Sequence, residues 1–248
     1  MTHLWTQVRW HLKRLIQRDI KSFIASLIFP IFFYILYTKF LTFDMDAQQM
    51  RRWQLEYLVS MSVYGMVLTS IQTVSLSLIK DQQQQFDRFV RLSPQSFWTY
   101  TLSICLTYIP LHIILVVLLT IIAWALHGIS MPLFTWVIYL VCMVLGSGLF
   151  SLMGVLISFA RTNAMANILS NLTVFPMAIL GGLWWPIYIM PDWIQAIGKR
   201  LPTYLFAEIV RPIVLKSSIP LENVFACLLW FTGLFLAIIG ISQRQKTK

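Results

Sequence analysis

Charge is what this sequence has least of. Charged residues make up 11% of the 248, and only nine are acidic, where an ordinary soluble domain carries roughly 25%. So thin a supply of solvating side chains excludes a water-facing globular surface for most of the chain. The pattern G-x-x-x-x-G-K-[ST] is missing, and Gly198-Lys199 lacks the upstream glycine, so no phosphate-cradling loop exists and this chain does not hydrolyse ATP. Cysteines number three, Cys105, Cys142 and Cys227, each inside an apolar run, which argues against a disulfide framework and a metal site and for plain packing. His112 and His127 stand alone and far apart, so core or interfacial placement is expected over a proton relay. Zinc chemistry needs clustered His, Cys or carboxylates, and intramembrane hydrolysis needs a dyad within the lipid. Neither pattern occurs, and no catalytic or metal-binding residue is assigned.

Long apolar runs are abundant. Apolar residues reach 58%, and six stretches are long enough for the ~20-residue helix that crosses a bilayer: Ser22 to Leu41, Tyr57 to Ile79, Phe97 to Leu126, Leu133 to Ala160, Ala164 to Trp185, and Leu221 to Ile241. The ten-residue alternation of a membrane barrel is absent, so the expected fold is all-α, a polytopic bundle with six transmembrane helices. The first run is too long for a signal-peptide core and no small-x-small cleavage pattern follows it, so it is expected to stay in the mature protein. Asn171-Leu172-Thr173 matches a glycosylation acceptor but falls inside a span and is set aside.

Basic residues orient the bundle. Arg9, Lys13, Arg14, Arg18 and Lys21 precede the first span, Lys80, Arg88 and Arg91 lie between spans two and three, Arg161 between four and five, and Arg244, Lys246 and Lys248 close the chain. Six alternating spans put all of them on one side, which the positive-inside rule makes cytoplasmic, with both termini. Arg51, Arg52, Lys199, Arg200, Arg211 and Lys216 fall on the opposite side and weaken the bias.

Three pieces lie outside the spans. Residues 3–21 carry Trp5, Val8, Leu12, Leu15, Ile16 and Ile20 at helical spacing opposite a basic face, an amphipathic interfacial helix that serves as a basic anchor or as a lever on a cytoplasmic partner. Residues 80–94 form the one sizeable cytoplasmic connection. Phe86, Phe89 and Val90 make a small apolar face among Asp87, Arg88 and Arg91, and Pro94 ends the helix, which either rests on the bilayer or docks into a partner. Residues 186–216 are broken by proline yet rich in Trp, Ile and Leu, fitting two short interfacial helices that form an ordinary loop or a lid. Before them, Gly181-Gly182 and Trp184-Trp185-Pro186 mark a span that turns back on itself. Within span four, Gly146, Ser147, Gly148, Ser151, Gly154 and Ser158 permit close helix approach, inside the chain or at a dimer seam.

Gly181-Gly182 through Trp185-Pro186, then Met190-Pro191-x-Trp193, then Leu201-Pro202-x-Tyr204, resemble the membrane subunit of a type-2 ATP-binding-cassette exporter, the ABC-2 permease family, and the resemblance covers nearly all of residues 1–248 as a single transmembrane domain. It implies a re-entrant helical pair before the last span, with Gly181, Gly182, Trp185, Pro186, Pro191, Trp193 and Pro202 at an outer gate. It makes 3–21 a connecting helix and 80–94 a coupling helix. Phe86, Arg88, Arg91, Leu92, Ser93 and Pro94 fit that coupling pattern, while Gln83 and Gln85 stand where many members have an acidic residue and Gly. The contact residues so implied are Gln83, Phe86, Asp87, Arg88, Phe89, Arg91 and Pro94. The partners implied are two copies of a cytosolic ABC ATPase, which would carry ATP and Mg, and a second permease, identical or related. This chain needs no cofactor of its own and no nucleic acid. Tyr64, Gln72, Asn171 and Phe175 are the expected pathway residues on spans two and five. Few fixed charges favour export of an amphipathic or hydrophobic cargo such as a drug, an antimicrobial peptide or a lipid from the cytoplasmic membrane. A lipid-linked glycan or polymer permease, and a non-transporting sensor or scaffold, are the alternatives.

Overall fold

The computed structural model describes residues 2–14, 20–41, 45–83, 97–160 and 162–246, and the described chain is helical throughout, with no strand among those residues. The helices are α1 (Thr2–Arg14), α2 (Ile20–Ile35, continuing into a π turn at Leu36–Phe40), α3 (Ala47–Gln83), α4 (Phe97–His127), α5 (Leu133–Ile157), α6 (Asn163–Leu180), α7 (Asp192–Gly198), α8 (Pro202–Leu215) and α9 (Leu221–Lys246). Five of them, α3, α4, α5, α6 and α9, are long and apolar enough to cross a membrane. The first expected span, Ser22 to Leu41, coincides with α2 and its π turn, which run from Ile20 to Phe40 and are apolar over Ser26–Phe40.

The bundle is built around α3. Its residues 57–71 are buried without a break, because Ser60, Ser62, Gly65 and Ser70 are small enough to let neighbours close in on every side. A helix covered all round is a core helix rather than an amphipathic one. α2, α4, α5, α6 and α8 all pack on it. The small-residue stripe of α5 works within the chain: a Cβ at Gly154 would lie 2.8 Å from Ser70 O of α3, and one at Gly146 would enter the Phe206 ring of α8, whereas Gly148 faces open space. By contrast α9 packs on α8 and α5 and leaves Phe225, Leu228, Leu229, Phe231 and Leu236 exposed, the signature of a lipid-facing helix.

Side-chain contacts sort the bundle into two ends. At one, α1 packs along the start of α4, with His11 and Tyr100 rings 5.8 Å apart, and Tyr100 donates to the buried Asp81 carboxylate near the end of α3. The α1 helix turns Arg9, Trp10 and Lys13 outward and half-buries Val8, His11 and Leu12; residues 15–19 of the expected 3–21 helix lie outside the described ones. At the other end, His127 of α4 sits 2.9 Å from Thr38 Oγ1 and 3.2 Å from Gln54 Nε2, a structural bridge between elements. His112 is buried against Ser70 Oγ at 3.1 Å. Cys105, Cys142 and Cys227 are unpaired.

Candidate functional site

Antiparallel contact between α3 and α6 makes a seam that runs from one end of the bundle to the other. Thr162 caps α6 by accepting from Met165 N at 3.1 Å, and the first α6 residue, Asn163, donates to Gln83 Oε1 at 2.6 Å. Further along, Ser75 and Ser170 hydroxyls lie 3.1 Å apart, and Gln72 Nε2 donates to Asn171 Oδ1 at 2.7 Å. Two expected pathway residues thus bond to each other directly. Their side of α6 is open, with Met165, Ile168, Leu172 and Phe175 exposed around Asn171.

The seam is closed at its far end by the turn after α6. Gly182 N reaches back to Ile179 O at 3.2 Å and Leu183 N to Ala178 O at 3.0 Å, with Gly182 at φ +68°, a Schellman ending in which only glycine adopts the left-handed cap without strain. Gly181 has a different task. Its φ is an ordinary −78°, but a Cβ there would collide with Thr203 Oγ1 and Met177 O. That space lets Thr203, in the first turn of α8, donate to Met177 O at 2.9 Å. Gly198, at the end of α7, lies so close to Leu180 O that a Cβ would collide there too. The end of α6 is therefore clasped by both short helices. Pro186 and Pro191 directly precede the 3₁₀ turn Ile187–Ile189 and α7, and Pro202 is the first residue of α8, where a missing N–H costs nothing. Trp185 and Trp193 are exposed, Trp193 by 67%, so they face outward rather than hold the turn together.

Trp184 does hold it together. The turn drops this ring back into the bundle, 4.9 Å from Phe33, 5.5 Å from Tyr64 and 5.8 Å from Phe175, while Tyr57 Oη donates to its carbonyl at 3.1 Å. Tyr64 and Phe175, expected on the pathway from sequence, meet through it. Beneath the same turn lies a polar cavity of about 430 Å³ walled by α3, the turn and α8. Arg211 reaches across it to Glu208, to Ser60 Oγ at 2.9 Å and to Gly182 O at 3.3 Å. Arg52 and Glu56 pair at its rim at 2.9 Å. Burial, with Glu208 nearby, raises the Tyr204 phenol above its ordinary value, so it stays protonated at neutral pH.

The family model of ABC-2 type transporters matches residues 2–215. The chain belongs to the ABC-2 type transporter family. YvfS of Bacillus subtilis (strain 168), provisionally named a transport permease, is 27% identical to it over 221 residues, 89% of each chain. Family membership makes this chain a multi-pass membrane permease of an ABC transporter and implies an ABC ATPase as its partner.

Of the expected coupling residues, Gln83 is described, exposed and bonded to Asn163. Phe86, Asp87, Arg88, Phe89, Arg91 and Pro94 lie outside the described residues. Sequence reasoning missed Trp184, Gly198 and Arg211. The paired tryptophans gave no sign of which one turns inward, and Gly198 had been weighed only as half of a phosphate-loop motif. Arg211 did carry a signal, being a lone cation in an apolar helix with an acid three residues before it.

The Gln72–Asn171 bond bears on stability as well as on cargo. In a double-mutant cycle of Gln72→Leu and Asn171→Leu, followed by unfolding of the detergent-solubilised chain, the coupling is expected at about 0.5–1.5 kcal/mol, the range of interhelical hydrogen bonds in membranes. Strict additivity would mean the two side chains act independently.

Proposed function

We propose that this chain is the permease half of an ATP-driven exporter of amphipathic or hydrophobic cargo in the cytoplasmic membrane. Both termini are cytoplasmic, and α2 joins the five long helices as a sixth crossing. Two ABC ATPase subunits, which hold ATP and Mg, bind residues 80–94 and close on ATP. The 3–21 helix transmits that movement along the start of α4. A second permease, identical or related, faces the open side of α6 and encloses the pathway between two seams. Cargo passes Gln72 and Asn171, and Trp184 with Tyr64 and Phe175 gates the outer exit. Residues 186–216 form the extracellular re-entrant pair that carries this gate.

The observation that carries the reading is the Trp184 ring set at the end of a seam whose Gln72–Asn171 pair lies among the exposed apolar side chains of α6. Such a lining suits a molecule with a greasy body and few polar groups. Inside-out vesicles holding this permease and its ATPase should take up a lipophilic fluorescent dye when MgATP is added, and Trp184→Ala should raise ATP-independent leakage of that dye several-fold. A complex that hydrolyses ATP yet neither takes up nor responds to any amphipathic compound contradicts the cargo assignment.

A further inference from the structure

Lys199 and Arg200 are out of place by the rule that orients the rest of the chain, since they lie at the end opposite the basic termini. They form the exposed tip between α7 and α8, and Arg200 O accepts from Trp230 Nε1 of α9 at 3.1 Å. Trp230 is nine residues into α9, so the tip sits about 13 Å along that helix from its start at Leu221. Two exposed cations are thus held beside a lipid-facing helix, well below its outer end. Lys199 also lines the polar cavity that holds Glu56 and Glu208, but those carboxylates pair with Arg52 and Arg211, and no ion pair ties Lys199 or Arg200 to a carboxylate among the described residues. A charge at that level is costly unless it snorkels or meets a counter-charge.

Alongside the tip, α8 and α9 diverge to leave an open groove of about 490 Å³. Leu205, Leu229 and Leu234 form its apolar walls, Lys199 and Arg200 line it, and no acidic residue does. Gly233 also lines it and has nothing within 4 Å of where a Cβ would stand, so no described part of the chain fills the groove there. An apolar slot with two cations beside it complements one kind of molecule that surrounds a membrane protein.

We propose that this groove binds one anionic phospholipid, its acyl chain against Leu205, Leu229 and Leu234 and its headgroup on Lys199 and Arg200. The lipid supplies the counter-charge the tip lacks and fastens the re-entrant pair to α9. This site is separate from the seam and does not depend on what the permease carries.

The test is native mass spectrometry of the delipidated full-length chain, titrated with phosphatidylglycerol and phosphatidylcholine of identical acyl chains. One phosphatidylglycerol per chain should bind in preference to phosphatidylcholine by roughly fivefold per cation, or about 25-fold for the two. Lys199→Gln with Arg200→Gln should bring the two lipids near parity. Gly233→Phe, which projects into open space and leaves the fold unstrained, should abolish the bound phosphatidylglycerol, with the melting temperature in detergent reporting that the chain stays folded. Parity in the native chain, undiminished preference in the double variant, or native binding by a folded Gly233→Phe chain would each overturn the proposal.

Discussion

A Gly181→Leu chain is expected to lose export by at least about tenfold while still inserting and still retaining its ATPase. The reason lies in one contact. The Thr203 hydroxyl reaches Met177 O through the volume a Gly181 side chain would occupy, and a Cβ there collides with both atoms. One obstacle is a backbone carbonyl at the end of α6, which cannot rotate away as a side-chain tip can. Overpacking of this kind costs about 1–3 kcal/mol, and leucine adds three further carbons to the clash. α8 must then move off α6, taking with it Arg211, its bond to Gly182 O and the support under Trp184. Gly181→Ala should show a milder form of the same defect. Gly182→Ala tests the other glycine separately, since its cost comes from φ +68° rather than from crowding and should be about 1–2 kcal/mol. Vesicle transport measured beside ATPase co-purification separates a lost gate from a lost partner. Native export by Gly181→Leu would mean that the clasp on α6 is not required.

The second large effect is expected at residues 80–94. Phe86→Ala with Phe89→Ala should uncouple ATP hydrolysis from transport and leave membrane insertion intact. Truncating a buried aromatic anchor at an interface costs about 2–4 kcal/mol, so the ATPase should bind more than about 30-fold more weakly with both removed. The two phenylalanines are the apolar face expected of 80–94 from the sequence, and Gln83, just before them, is tied to Asn163 at the foot of the seam. A push on that segment would therefore reach α3 and α6 together. Unaltered transport and unaltered stimulation of the ATPase would place the docking surface elsewhere.

The helical class and the re-entrant region were legible because they rest on run length and on prolines whose positions leave few options. Pro191 directly precedes one short helix and Pro202 opens the next, near where the prolines led them to be expected. The seam was legible in part. Gln72 and Asn171 stood out as polar groups in apolar spans, but nothing in one sequence says that residues ninety-nine positions apart will bond. The centrality of α3 could not be read at all, because its small and large residues show no amphipathic side; only packing from all directions explains them. The two glycines look equivalent in the sequence, yet one is needed for its φ and the other for its bareness. Trp184 and Trp185 are likewise adjacent and chemically alike, and only the hydrogen bonds of the turn decide which one points inward.

The most direct test of the whole account is to purify the chain from its native membrane in mild detergent and identify the polypeptides that come with it by mass spectrometry, beside the Phe86→Ala, Phe89→Ala chain. The account predicts an ABC ATPase bound to the native chain and lost from the variant. Reproducible recovery of the native chain with no ATPase would contradict it.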